Sequence, residues 1–377
     1  MNTTLKQLGS LVLVLIVLGG AWWLISSHSG YQDKGPITIG FVGALTGEAA
    51  SYGEPMKNGV QLAVDEINKA GGVHGRQITV IYEDGKCSGQ DAASAAQKLV
   101  NVDGVKYIIG GVCSGESFSI APIVTAAKAV EISPGSSAPK LAGISPYFLR
   151  NNPNDNQSAI DLANYLVKTY KNIAIITEKT DYPEGFKTVF AAAAAKDTSV
   201  TVHSEEYDTD TTDFRSLLTR VRSANPDAIL INSQTSGNFL RIAQQARQLG
   251  ITAQFATTVS TDPATVATSA YAENTIFVSA PGLSQGGKGA AFLAKYAAVY
   301  GAPPAYEFYS GAAYDDVYLI AQAIGNVGDD ATKVDAYLHS LESYTGTIGT
   351  YHFGADGDFV GVSNILERLV NGKVVII

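Results

Sequence analysis

Cysteine, clustered histidine and basic runs are scarce in this sequence, and each scarcity removes a class of function. The five histidines (His28, His74, His203, His339, His352) are scattered, with no His-x-x-x-His or Cys-x-x-Cys pair to hold zinc. Asp356-Gly357-Asp358 has too few alternating acids for a calcium loop and reads as a turn. No metal and no cofactor is expected. Charged residues make up 16% of the chain, the formal net charge is −9, and no basic block exists. That balance argues against a nucleic-acid partner, because phosphate binding needs clustered Lys or Arg. Gly40-x-x-Gly43-x-x-x-Gly47 misses the dinucleotide-binding spacing, and no phosphate loop ending in Gly-Lys-Ser/Thr is present. Ser137-Ala138-Pro139-Lys140 matches Ser-x-x-Lys, but the Lys-Thr-Gly and Ser-Asp-Asn partners of that nucleophile motif are absent. The sequence shows no catalytic constellation, and an enzyme is not expected.

What is present is apolar material and a distinctive N-terminus. Hydrophobic residues are 46% of 377, enough for one large domain or two medium ones. Lys6 precedes an unbroken apolar stretch, Leu11 to Ile25, followed by Ser26-Ser27-His28-Ser29-Gly30. Residues 1–30 therefore read as a secretory signal or as a retained single-span membrane anchor with Trp22 and Trp23 near its outer end. No cysteine follows for lipid attachment. Either reading puts the rest of the chain outside the cytoplasm. There the only two cysteines, Cys87 and Cys113, are expected to form a disulfide, with two unrelated buried thiols as the alternative.

From Pro36 onward strands and helices alternate. Strands are expected over 37–42, 78–82, 105–110 and 130–132, with Val60, Val64 and Ile67 on one helix face and further helices at 88–102 and about 118–128. The same order restarts after Asn151-Asn152-Pro153-Asn154, with strands at 172–176, 199–203 and 228–231 and helices at 157–169, 184–196, 213–223 and 238–249. Repeated βαβα order predicts an α/β fold of two Rossmann-like lobes with parallel central sheets and a cleft between them.

At this point the residues become familiar. Glu66-Ile67-Asn68-Lys69-Ala70-Gly71-Gly72-Val73-His74-Gly75-Arg76-Gln77-Ile78 resembles a segment of the leucine/isoleucine/valine-binding protein family, type I periplasmic binding proteins serving ABC importers. The likeness continues through Tyr82-Glu83-Asp84, Cys87, Ile109 to Ser114, Ile132-Ser133-Pro134-Gly135 and Tyr182-Pro183-Glu184-Gly185, and covers the chain from about 37 onward. The resemblance implies a Cys87–Cys113 disulfide, a three-crossing hinge, a small-molecule ligand and an ABC permease as partner. It implies that Ser114 and Ser137 hold the ligand's carboxylate by hydroxyl and amide, and that Ser136 offers its carbonyl to an ammonium. Tyr52 and Tyr182 would be aromatic walls from opposite lobes, with Tyr306 a third. Read as residues alone, the serines are equally suited to capping helices, Tyr52 and Tyr182 to the surface, and Tyr306 to a core.

The resemblance also has gaps. Val259 stands where the family places an acid for the ligand's ammonium, and an aromatic is missing near Thr235-Ser236. Asp262, Glu48 and Asp181 are the substitutes in view; otherwise the ligand is a carboxylate or amide without an ammonium. The implied lobes are 37–150 with 281–347, and 151–280 with 348–377, crossing near Arg150–Asn152, Ser279–Pro281 and Thr347–Thr350. The expected function is an extracytoplasmic substrate-binding protein for a branched-chain amino acid or related small carboxylate. A membrane-anchored ligand sensor and a binder of a non-amino-acid metabolite are the alternatives.

Overall fold

The computed structural model describes residues 35–285 and 287–377; residues 1–30, read above as signal or anchor, lie outside them. Among the described residues no helix is long and apolar enough to cross a membrane.

The first lobe is built on β1 (Ile37–Gly43), β2 (Ile78–Asp84), β3 (Tyr107–Gly110), β4 (Val130–Ser133) and β5 (Phe148–Arg150), all parallel, in the order β2-β1-β3-β4-β5. Its central strands are buried at nearly every position, because helices cover both faces. On one face α1 (Ala50–Lys69) lays Met56, Val60, Ala63 and Ile67 on Ile39, Phe41 and Ile109. On the other, α2 (Gly89–Asn101) and α3 (Ser114–Ala127) enclose Val42 and Ile108.

The second lobe repeats the winding. After α4 (Asp155–Leu166) come β6 (Asn172–Glu178), α5 (Asp181–Ala194), β7 (Thr201–Tyr207), α6 (Arg215–Ser223), β8 (Ala228–Asn232), α7 (Ser236–Gln248), β9 (Gln254–Thr257) and β10 (Ile276–Ser279). The parallel part of this sheet runs β7-β6-β8-β9-β10, the same permutation as in the first lobe. The sheet is mixed rather than purely parallel, since β14 (Ile365–Val370) joins β10 antiparallel and β15 (Lys373–Ile376) forms the edge.

Between β10 and β14 the chain returns to the first lobe through α8 (Gly287–Tyr300), α9 (Glu307–Val327), α10 (Ala331–His339) and a three-stranded antiparallel sheet. That sheet comprises β11 (Tyr344–Gly346), β12 (Gly349–Phe353) and β13 (Phe359–Val360). Helix α9 lies so close along α1 that a Cβ on Gly59 would sit 2.4 Å from the Ser310 carbonyl oxygen.

Two expectations need correcting. The third crossing lies later than 347–350: Tyr351, Phe353 and Phe359 are buried in the first-lobe core, and the chain enters the second sheet only at Ile365. Helix α3 starts at Ser114 rather than about 118, because the Glu116 carboxylate accepts the Cys113 amide at 2.9 Å and caps the helix a turn earlier.

Candidate functional site

Equivalent loops of the two lobes face each other, because both sheets share one winding and both present the carboxyl ends of their strands to the cleft. Tyr52 follows β1 and Tyr182 follows β6. Ser114 follows β3 and Gln234 follows β8; Ser137 follows β4, and Val259 and Ser260 follow β9. All seven line one cavity, together with Met56, Val112, Cys113 and Tyr309, and Tyr306 closes it from the head of α9. The closed cavity holds about 40 Å³ of free space, far less than an open ligand site offers.

On the first-lobe side the donors converge. Ser114 begins α3, where helix amides have no partner within the helix. Its hydroxyl oxygen accepts the Ala138 amide at 3.1 Å, which leaves the hydroxyl proton to donate. The loop approaches closely at Gly135, where a Cβ would meet the Val112 carbonyl oxygen at 2.5 Å. Glu116 holds this loop from behind. One carboxylate oxygen accepts the Val112 and Cys113 amides at 2.8 and 2.9 Å, and the other accepts the Cys87 amide at 2.9 Å. Burial pushes the Glu116 carboxyl up to about 7 against the pull of those amides. Cys87 and Cys113 are joined in a disulfide, and the Tyr52 hydroxyl packs 3.2 Å from the Cys113 sulfur.

The expected roles of Ser136 and Ser137 change. Ser136 sits behind the wall: its hydroxyl donates to the Gly111 carbonyl at 2.9 Å, and its own carbonyl accepts from Asn152 at 3.3 Å. The Ser137 hydroxyl donates to Asp155 Oδ2 at 2.6 Å, so it offers the cavity acceptor lone pairs rather than a proton. Asp155 is fully buried, its Oδ1 has no partner among the described residues, and burial pushes its carboxyl up to about 7 while Ser137 and Arg150 pull it down.

Across the cleft, Gln234 Nε2 donates to the Tyr52 hydroxyl at 3.0 Å. The Tyr306 hydroxyl donates to the Ser260 carbonyl at 3.1 Å and lies 2.8 Å from Ser236 Oγ. The Tyr52 and Tyr306 rings meet edge-on at 5.4 Å. Tyr182 donates to Thr258 Oγ1 at 2.6 Å. At the rim Arg241 pairs with Glu48. Tyr306 holds φ of 55°, a strained value for a bulky residue and one found at functional positions.

No ionisable acid or base other than tyrosine lines the cavity. None of the three substitutes for the missing acid does so either. Asp262 caps a helical turn through the Thr265 amide at 2.7 Å, Glu48 is held by Arg241, and Asp181 is exposed. One buried acid, Asp155, lies one hydroxyl behind the wall. Sequence reasoning passed over it, along with Gln234 and Tyr309, because the Asn-rich segment before it reads as a linker.

Comparisons with known proteins agree with this architecture. A family described as "Periplasmic binding protein" matches residues 36–367. The Leu/Ile/Val-binding protein BraC3 of Rhizobium johnstonii is 30% identical over 352 residues, covering 90% of this chain and 93% of that protein. A Leu/Ile/Val-binding protein homolog of Brucella melitensis is 27% identical, covering 93% and 95%. Among solved structures, the branched-chain amino acid transporter substrate-binding protein of Streptococcus pneumoniae, in complex with isoleucine, superposes with a TM-score of 0.79 at 27% identity, covering 90% of this chain and 97% of that one. A leucine-binding protein of Thermotoga maritima gives a TM-score of 0.82 at 24% identity, covering 90% and 97%, a likeness of fold. With its doubled winding, its facing loops and a family match across nearly its whole length, this chain belongs to the periplasmic binding protein family.

Proposed function

We propose that this protein is the extracytoplasmic capture component of an ABC importer, and that it closes around a small amino acid or related carboxylate. The observation that carries the reading is the convergence of the Ser114 hydroxyl and the first turn of α3 on a neutral cavity roofed by the opposite lobe. A carboxylate seated there is held by neutral donors, so no buried cation has to be desolvated with it. An α-ammonium, where the ligand has one, faces the Ser137 oxygen with Asp155 behind it. Tyr52, Tyr182 and Tyr306 supply apolar area with little rotamer freedom to lose. The N-terminal segment is the export signal or anchor in this reading, and an ABC permease reads the closed form.

Ligand stabilises the closed arrangement only by its differential affinity for it. The test is thermal unfolding of the purified protein against aliphatic amino acids and small carboxylates. A ligand at a hundred times its Kd adds about 2.7 kcal/mol of stability, a readily visible shift. A panel without any responding carboxylate would sink the reading.

A further inference from the structure

The ligand cavity does not end at its aromatic wall. Val259, Tyr306 and Tyr309 also line a second, larger cavity, with about 280 Å³ of free space, between the 279–282 crossing and the head of α9. The partition is therefore one side chain thick. Tyr306 is tied in it through Ser236 and Ser260. Tyr309 is not tied: it is 9% exposed, and its hydroxyl has no hydrogen-bond partner among the described residues. Its ring packs on Tyr306 and Phe308, so ring contacts without a hydrogen bond hold it in the wall.

The chamber beyond has the charge that the first cavity lacks. Asp262, Glu307 and Glu367 line it, and among the described residues no Lys, Arg or His lines it and none of the three takes part in an ion pair. Each uses one carboxylate oxygen inside the protein. Asp262 accepts the Thr265 amide at 2.7 Å, Glu307 the Leu283 amide at 3.3 Å, and Glu367 the Ser279 hydroxyl. The second oxygen of each has no donor among the described residues. Asp262 and Glu307 are near enough to repel one another, which raises the Glu307 carboxyl alongside its burial. Three unpaired like charges in a recess are relieved by a bound cation.

We propose that the two cavities form one site, and that it takes an amino acid with a cationic side chain. The carboxylate lies at Ser114, the side chain passes Tyr309, and a distal ammonium or guanidinium lies among Asp262, Glu307 and Glu367. This rests on the carboxylate seat proposed above. It gives Val259 a role, because an acid there would stop a cationic tail at the partition.

Calorimetric titration of the full protein with two matched pairs tests it: L-arginine against L-citrulline, and L-lysine against L-norleucine. Citrulline matches arginine in shape without its charge, and norleucine is lysine without its terminal ammonium. The charged member is expected to bind at least about tenfold tighter in one pair, as a hydrogen-bonded charge pair requires. Glu307→Gln, or Glu367→Gln should the first variant fail to fold, is expected to erase that preference. Equal or tighter binding of the neutral members, or no binding by either charged one, overturns the inference. Ser114→Ala separates the two ideas. If it weakens neutral and charged ligands alike while no charge preference exists, the carboxylate seat stands and the distal site falls. If it weakens neither, the seat itself falls, and the distal site with it.

Discussion

The Ser137 hydroxyl donates to Asp155 Oδ2 at 2.6 Å, so the protonation of one buried carboxyl decides which way one cavity hydroxyl points. With Asp155 ionised, Ser137 presents lone pairs and suits an ammonium. With Asp155 protonated, the acid proton is available to Ser137 and the hydroxyl turns donor, which suits an anion. Burial holds this carboxyl up to about 7. Affinity for an α-amino acid is therefore expected to rise from pH 6 to pH 8, and affinity for a matched carboxylate without the amine to fall. Asp155→Asn should flatten both profiles; titration calorimetry at three pH values measures this.

Ser114→Ala removes the one hydroxyl donor with a proton to spare at the head of α3. The expected loss is about 1–3 kcal/mol of carboxylate affinity, the usual cost of an unpaired charged acceptor. Unchanged Kd in a variant with wild-type unfolding behaviour would contradict the seat.

Tyr52→Phe keeps the ring packed on Tyr306 and deletes the acceptor for Gln234. That bond exists only when the lobes are together. Its loss should cost about 0.5–1.5 kcal/mol, read as faster ligand release in stopped-flow measurements with little change in association.

Stability should also respond to pH in an unusual direction. Burial raises Glu116, Asp155 and Asp315 to about 7, and Glu131 and Asp316 well above their ordinary values. A carboxyl whose folded pKa is raised binds its proton more tightly when folded. Its contribution is full below the ordinary carboxylate range and is lost as pH rises through about 7. Urea denaturation of the unliganded protein should give a higher midpoint at pH 5.5 than at pH 8. A flat or rising trend would show that these groups stay ionised when buried.

The repeated lobes were legible because strand–helix alternation survives in apolar spacing: Val60, Val64 and Ile67 share a face, and β1, β3 and β4 are apolar runs. The three helices over 287–339 were not, since this stretch is rich in Ala and Tyr all round rather than on one stripe, as befits α9, which is buried along most of its length. The third crossing came from the resemblance, and the alternation of Tyr351 and Phe353 with polar residues could not correct it. Only the tertiary partners show which lobe they serve. At the site, Tyr52, Ser114, Ser137, Tyr182 and Tyr306 were named in advance and line one cavity. Asp155 was invisible for a physical reason: its importance comes from burial behind Ser137, and burial of a lone Asp after an Asn-Pro-Asn turn has no sequence signature.

Arg150, wholly buried in β5, is joined to Asp358 in the turn after β12, and its guanidinium also donates to the Ala138 carbonyl at 2.9 Å. Asn154 donates to the other oxygen of Asp358 at 2.7 Å. The strand leaving for the second lobe and the segment preceding the return are thus pinned to one point, and that point touches the loop carrying Ser137. Both partners belong to the first lobe, so the pair gives two of the crossings a common root there.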